Sequence, residues 1–248
     1  MEYSCYELLL LEQSTTIHPL FSAIQAILPS LIAISIIACS SEYGAGIIAK
    51  NKCDVHAHSN TFVNNSAKYG GAVSSDQSII ELTGTNLFQN NSARLGGAVH
   101  VKNSSLGISK DGRGAMPHMG THITENYAQF GGGMYITNNS TAKLTGSITI
   151  DNNSELFGGG IFIFNRSILE GTGDIHFMKN HAVDGGGVVQ HYNYSRLQLN
   201  GSILFNNNNS VLRFGGGISI DSNSSLIGEG IQFLNNNANG CGGGIFCY

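Results

Sequence analysis

Few residues of this chain can do acid–base chemistry, and two pairs of carboxylates stand apart from the rest. Glu125 and Asp151 fall about one repeat length apart, and so do Glu155 and Asp184. Cleavage of a glycosidic bond needs two carboxylates: one protonates the leaving oxygen, and the other attacks or activates water. On neighbouring coils at nearly equal positions, each pair would come within about 5–8 Å, the range such enzymes use. Neither pair has an Arg or Lys placed with it, and both fall in turn-rich stretches, which suits solvated turn carboxylates as well as catalysis. His56 and His58 alternate along one strand face, and His118 and His122 are four apart beside Pro117. No carboxylate or Cys completes either set with metal-ligand spacing, so no metal is expected. There is no G-x-S-x-G, and the glycine triplets lack the strand-to-helix context of a phosphate loop, so no cofactor is expected.

These residues are positioned by a repeat. The third residue of each glycine triplet falls at Gly46, Ala72, Ala98, Gly133, Gly160, Gly187, Gly217 and Gly244. Ten residues earlier stands a large apolar anchor in the first six units: Ile36, Phe62, Phe88, Ile123, Ile150 and Phe177. In the last two units Phe205 and Phe233 sit one or two residues further back. Three residues after the anchor comes Asn65, Asn91, Asn126, Asn153, Asn180, Asn208 and Asn236 in all units but the first. After each triplet the pattern has period two, as in "GGAVHVKN" and "GGGIFIFN", which is strand alternation. A second short strand follows ("SIIELTG", "SRLQLNG"), and the anchor begins a third.

Three short strands and three turns in 26–30 residues describe one coil of an all-β, right-handed parallel β-helix, with about eight coils over residues 31–248. Helices tolerate neither this much Gly nor this much β-branching. The anchors are expected to point inward as a ladder and the Asn to hydrogen-bond from coil to coil at a bend. The glycines are expected to supply positive φ and close approach. A 35-residue spacing marks an insertion around residues 110–119, "KDGRGAMPHM". An extended loop on a rigid scaffold is a common place for function.

Charged residues make up only 11% of the chain and the formal net charge is −4. That excludes a nucleic-acid binder, which needs a basic stripe to displace counterions. Residues 1–30 read either as a signal or membrane segment or as a helix capping the solenoid, with an apolar face of Ile17, Leu20, Phe21, Ile24, Ile27 and Leu28 ended by Pro29. Membrane association would run through this segment. The chain stops in mid-coil at Tyr248, as a fragment would.

Eleven N-x-S/T sequons (Asn64, Asn90, Asn103, Asn138, Asn139, Asn152, Asn165, Asn193, Asn200, Asn208 and Asn223) point to a glycosylated extracellular or cell-surface protein. The alternative is that the repeats simply copy Asn-Ser turns. Of five cysteines, Cys39 with Cys53 and Cys241 with Cys247 bracket the first and last triplets, where disulfides would limit fraying; Cys5 is left over. Positions two after the third triplet residue should face outward. There Tyr135, Phe162 and Val189, with Phe164, Tyr192 and Tyr194 near, would form an apolar stripe suited to a cell-surface protein or glycan.

The phrases "FVNN…YGGAV" and "FQNN…LGGAV" resemble the repeats of chlamydial polymorphic outer-membrane proteins, marked by F-x-x-N and G-G-A-[ILV]. Phe62, Asn65 and Gly70 to Val73 match, as do Phe88, Asn91 and Gly96 to Val99. Later coils mostly write GGG, and the likeness runs over residues 36–248. Similar repeats occur in secreted or surface proteins of eukaryotes. The resemblance implies a surface-exposed, adhesin-like interaction scaffold rather than an enzyme. A polysaccharide lyase or glycoside hydrolase on the same fold is the alternative, and fold alone does not decide between them.

Overall fold

A computed structural model describes residues 31–32, 35–110, 120–212, 214–221 and 223–248. The alternatives for residues 1–30, the centre of the insertion and His118 lie outside the described residues. Within them the chain is all β: strands stack in parallel, coil upon coil, into a right-handed solenoid with three walls. No helix long and apolar enough to cross a membrane occurs among the described residues.

The wall that follows the glycines holds eight strands, from Ile47–Lys50 to Ile245–Cys247, and eight stacked strands span about seven turns. Its register aligns Ile47, Val73, Val99, Met134, Ile161, Val189, Ile218 and Ile245 in one inward row. The sequence numbering of the sixth coil is therefore off by one. Val188, not Gly187, occupies the place of Ala72 and Ala98, because Gly160 N donates to Val188 O as Ala72 N donates to Ala98 O. Val189 is a fully buried core residue, and Gln190 is the register partner of Phe162.

The anchor wall is a twelve-stranded sheet. Ile36, Phe62, Phe88, Ile123, Ile150, Phe177, Phe205 and Phe233 stand in one unbroken register. The later phenylalanines are thus not displaced; the extra residues of those coils lie in the short wall between the Asn and the glycines. Phe62 stacks on Phe88 at 5.0 Å, and Phe177, Phe205 and Phe233 form a second stack at 4.5 and 4.8 Å. Each buried ring or branched side chain stabilises the coil by roughly 1.5–3 kcal/mol. Early coils break this wall in two at Asn60 and Asn86, where Asn60 Nδ2 donates to Asn86 Oδ1 at 2.8 Å. From Thr141 onward single strands of 10–11 residues run through the same place, passing Gly146, Gly173 and Gly201 at positive φ.

At the bend after the anchor, the Asn amides form a continuous column from Asn65 to Asn236. Each Nδ2 donates to the Oδ1 of the next coil at 2.8–3.2 Å. Each also donates to the anchor carbonyl of the coil before, as Asn126 does to Phe88 O at 3.0 Å. In the first coil Cys39 stands in this column, with its N–H on Asn65 Oδ1. A second column, unread in the sequence, runs through the bend before the anchor wall: Cys53, Ser78, Ser104, Ser140 and Ser167, each N–H donating to the next hydroxyl at 3.0–3.2 Å. The glycine bend needs its residues for two reasons. Gly96 has φ +66°, and a Cβ on Gly97 would strike the backbone oxygen of Gly132.

A rung in the middle of the Asn column makes four bonds to buried groups. Asn126→Ala should therefore lower stability by on the order of 3 kcal/mol or more, the cost of orphaned buried donors and acceptors. Asn239→Ala, on an exposed turn, should be nearly neutral. Urea unfolding of the two variants reads the difference; equal midpoints would show that the column carries no stability.

Candidate functional site

The bends and strands of the solenoid place the candidate residues. Asp151 ends a long anchor-wall strand, and its register partner is Thr124, not Glu125. Glu125 lies one step further, in the left-handed place (φ 57°) that Asn152 fills on the next coil. Its Oε2 accepts from Gln89 Nε2 at 2.9 Å. The two carboxyls still share one bend. Asp151 Oδ1 is buried without a hydrogen-bond partner. Burial raises the Asp151 pKa above the usual carboxylate range, Lys179 opposes this and the Glu125 charge adds to it. A lysine is therefore placed with this pair, contrary to the sequence reading: Lys179 follows Met178, the register partner of Asp151. The second pair does not meet in register, since Glu155 aligns with Ala182 and Asp184 with Phe157.

The histidines separate. His56 Nε2 pairs with Asp54 Oδ1 at 3.0 Å, while His58 Nδ1 bonds to Thr83 Oγ1 at 3.0 Å. Among the described residues no three His, Cys, Asp or Glu side chains gather where a metal ion would sit. The two pairings proposed from spacing do not form, since Cys39, Cys241 and Cys247 are free thiols, although Cys53 is itself disulfide-bonded. Cys39 and Cys53 head the columns of two different bends, and Cys241 and Cys247 lie on opposite sides of a glycine bend. Burial pushes the Cys39 thiol pKa up.

The sequons have a cause in corner geometry. Asn64, Asn90, Asn103, Asn138, Asn139, Asn152, Asn165 and Asn193 all take left-handed φ of 49–60°, which Asn tolerates better than other non-glycine residues. In Asn64, Asn90 and Asn152 the next residue is the Asn rung; in Asn138 and Asn165 the sequon serine is itself the Ser rung, and in Asn193 it is Ser195, whose N–H donates to Ser224 Oγ at 3.1 Å. Asn200 lies within an anchor-wall strand and Asn223 on an exposed turn. Asn208 differs from all of these. It is 1% exposed, and its Nδ2 donates both hydrogens, to Phe177 O at 3.0 Å and to Asn236 Oδ1 at 2.8 Å.

The outward aromatic stripe exists, but it is longer and more deeply set than expected. Tyr135 stacks on Phe162 at 5.5 Å, and Phe164 lies 6.3 Å from Phe162. Tyr192 joins them at 5.9 Å, whereas Tyr194 stands exposed under the Arg166 guanidinium. Val189, as described, points into the core. The row extends back through His100, which stacks on Tyr135 at 5.7 Å. What sets it deep is a second row formed by the residue just before each first glycine: Tyr43, Tyr69, Leu95, Phe130 and Phe157. These fold over the glycine bend, so Phe130 meets Tyr135 and Phe162 edge-on at 6.3 and 5.4 Å, and Tyr69 meets His100 at 5.5 Å. Phe162 is left only 6% exposed. The sequence held a signal for this second row, an aromatic before the glycine in "YG" and "FG", that reading the glycines as a bend alone passes over.

Between the two rows, across the first five coils, lies an open groove of about 460 Å³. Tyr43, Tyr69, His100, Tyr135 and Phe164 line it with Lys50, Asp76 and Lys102. Lys102 Nζ pairs with Asp76 Oδ2 at 3.0 Å, and Lys50 Nζ sits 3.6 Å from the centre of the Tyr43 ring. His100 is buried, its Nδ1 3.4 Å from Ser74 Oγ, and burial lowers its pKa to about 4, so the ring is neutral near pH 7. No family model, no curated protein and no solved structure matches this chain.

Two outcomes follow from this geometry. In a glycosylating host, glycopeptide mapping of the folded protein should find Asn208 unmodified, because a glycan there replaces a hydrogen that the column uses; an occupied Asn208 in folded protein contradicts the placement. His100 sets a pH dependence. Its folded pKa lies below the ordinary 6.5, so the unfolded chain binds the extra proton first. Stability falls as pH drops from about 6.5 towards 4, by up to about 3 kcal/mol, and the loss levels off below. His100→Phe should remove this component, and an unchanged wild-type-minus-variant difference between pH 7 and pH 4.5 rules it out.

Proposed function

We propose that the chain is a non-enzymatic, extracellular or cell-surface interaction scaffold of adhesin-like type, whose contact surface is the aromatic glycine bend. The observation that supports this most is the outer double row of rings. Tyr43, Tyr69, His100, Tyr135, Phe162 and Tyr192 lie outside the solenoid core, follow one edge over consecutive coils and leave an open groove between them. His100 and Phe162 are buried within the row, but Tyr43, Tyr69, Tyr135 and Phe164 keep half-buried aromatic surface at its rim, which a partner can cover. The resemblance to the chlamydial repeats supports the same location. Partners are a cell-surface protein or a glycan.

A polysaccharide-cleaving reading has one observation in its favour. Asp151 holds its proton more tightly than an ordinary carboxylate and shares its bend with Glu125 and Lys179, an arrangement that suits a general acid. Tyr135→Ser with Phe164→Ser should reduce attachment of the purified protein to cells at least severalfold while Asp151→Asn leaves it unchanged. Attachment untouched by the aromatic changes, together with polysaccharide cleavage that Asp151→Asn abolishes, would reverse the assignment.

A further inference from the structure

The groove between the two aromatic rows is built from ring edges and hydrogen-bond donors rather than ring faces. The rings stack on one another along the solenoid axis: Tyr43 on Tyr69 at 4.8 Å and 18°, His100 on Tyr135 at 5.7 Å and 13°. Their faces are used up in the stack, and the free face of Tyr43 is taken by Lys50 Nζ. A ligand in the groove therefore meets ring edges, which carry the positive end of the aromatic quadrupole. It also meets tyrosine hydroxyls and two ammonium groups.

The charge is unbalanced in a protein whose formal net charge is −4. Lys50, Asp76 and Lys102 are successive register partners on three coils. Asp76 is committed to Lys102 at 3.0 Å and to Asn103 Nδ2 at 3.4 Å. Lys50 has no carboxylate partner among the described residues. Two lysines against one aspartate leave one positive charge, and the neutral ring of His100 does not offset it.

Resting on the binding reading above, we propose that this groove is a subsite for an acidic saccharide, with the sugar carboxylate on Lys50 and its hydroxyls among the tyrosine hydroxyls. The volume of about 460 Å³ accommodates one or two sugar rings, and the lining mixes donors with the acceptor Asp76. An acidic peptide fits less well. It would bind best as an added strand, but the strands Val73–Asp76 and Val99–Lys102 each have neighbours on both sides and offer no free edge.

The test is calorimetric titration of the intact chain with a hyaluronan tetrasaccharide, with the same tetrasaccharide after reduction of its carboxyls to alcohols, and with hexaglutamate. The native tetrasaccharide should bind, carboxyl reduction should weaken it at least tenfold, and raising salt from 50 to 500 mM should weaken it further. Lys50→Gln should weaken binding about fivefold to tenfold with an unchanged circular dichroism spectrum, and Tyr135→Phe less. Equal binding of the reduced sugar, tighter binding of hexaglutamate, or no binding at all overturns the proposal. Cell attachment that still depends on Tyr135 and Phe164 in any of those cases leaves the scaffold reading standing, whereas loss of both removes the two together.

Discussion

Everything in this molecule depends on the requirement that a buried amide have partners above and below. A parallel solenoid turns its backbone sharply three times per coil, and at each bend the strand ladder lapses. The Asn column repairs this at one bend: each side chain accepts from the backbone of the coil before, donates to that coil's anchor carbonyl and donates to the amide oxygen of the coil after. That fixes both the spacing of the coils and their register, because an amide a residue out of place would meet nothing. The inward anchors follow from this register, and so do the outer rows. Stability is thus shared among neighbouring rungs, as in other stacked repeats.

The same constraint explains what could be read from the chain and what could not. The Asn column was legible because its residue type and spacing hold in seven coils. The Ser column carries the same job, but serine is common throughout this sequence and so gave no contrast. Glycine counting misplaced the sixth coil because "DGGGVV" contains one glycine more than the bend uses; hydrogen bonds, not composition, identify Val188 as the third residue. The acid pairs failed or shifted for a related reason. A spacing of 26–29 residues is compatible with neighbouring register steps, and a one-step error separates Glu125 from the true partner of Asp151. Cysteine spacing misled because nearness in sequence says nothing about which bend a residue occupies.

The outer aromatic rows show how a second packed layer can grow on a finished core. The residue before each glycine and the residue two after the third lie on either side of a bend that has no side chains of its own. Bare glycine backbone would leave a furrow there. Rings from both sides lean across it, so Phe162 is nearly as well buried as a core residue while pointing away from the core. Tyr135 and Phe164 remain half-exposed at its rim. Outward residues can thus be graded from support to contact within a single row, which periodicity alone cannot distinguish.

The direction of the backbone hydrogen bonds has a mechanical consequence. They run along the solenoid axis, so a pull applied end to end loads the coils in series, each interface bearing the whole force. Extension then opens the weakest interface first and peels its rungs from one wall to the next. A pull across the coils instead loads the strands along their own length, where covalent backbone carries the tension. A rod of this construction is stiff to bending and sideways load but gives way lengthwise in discrete steps, each releasing the contour of one coil.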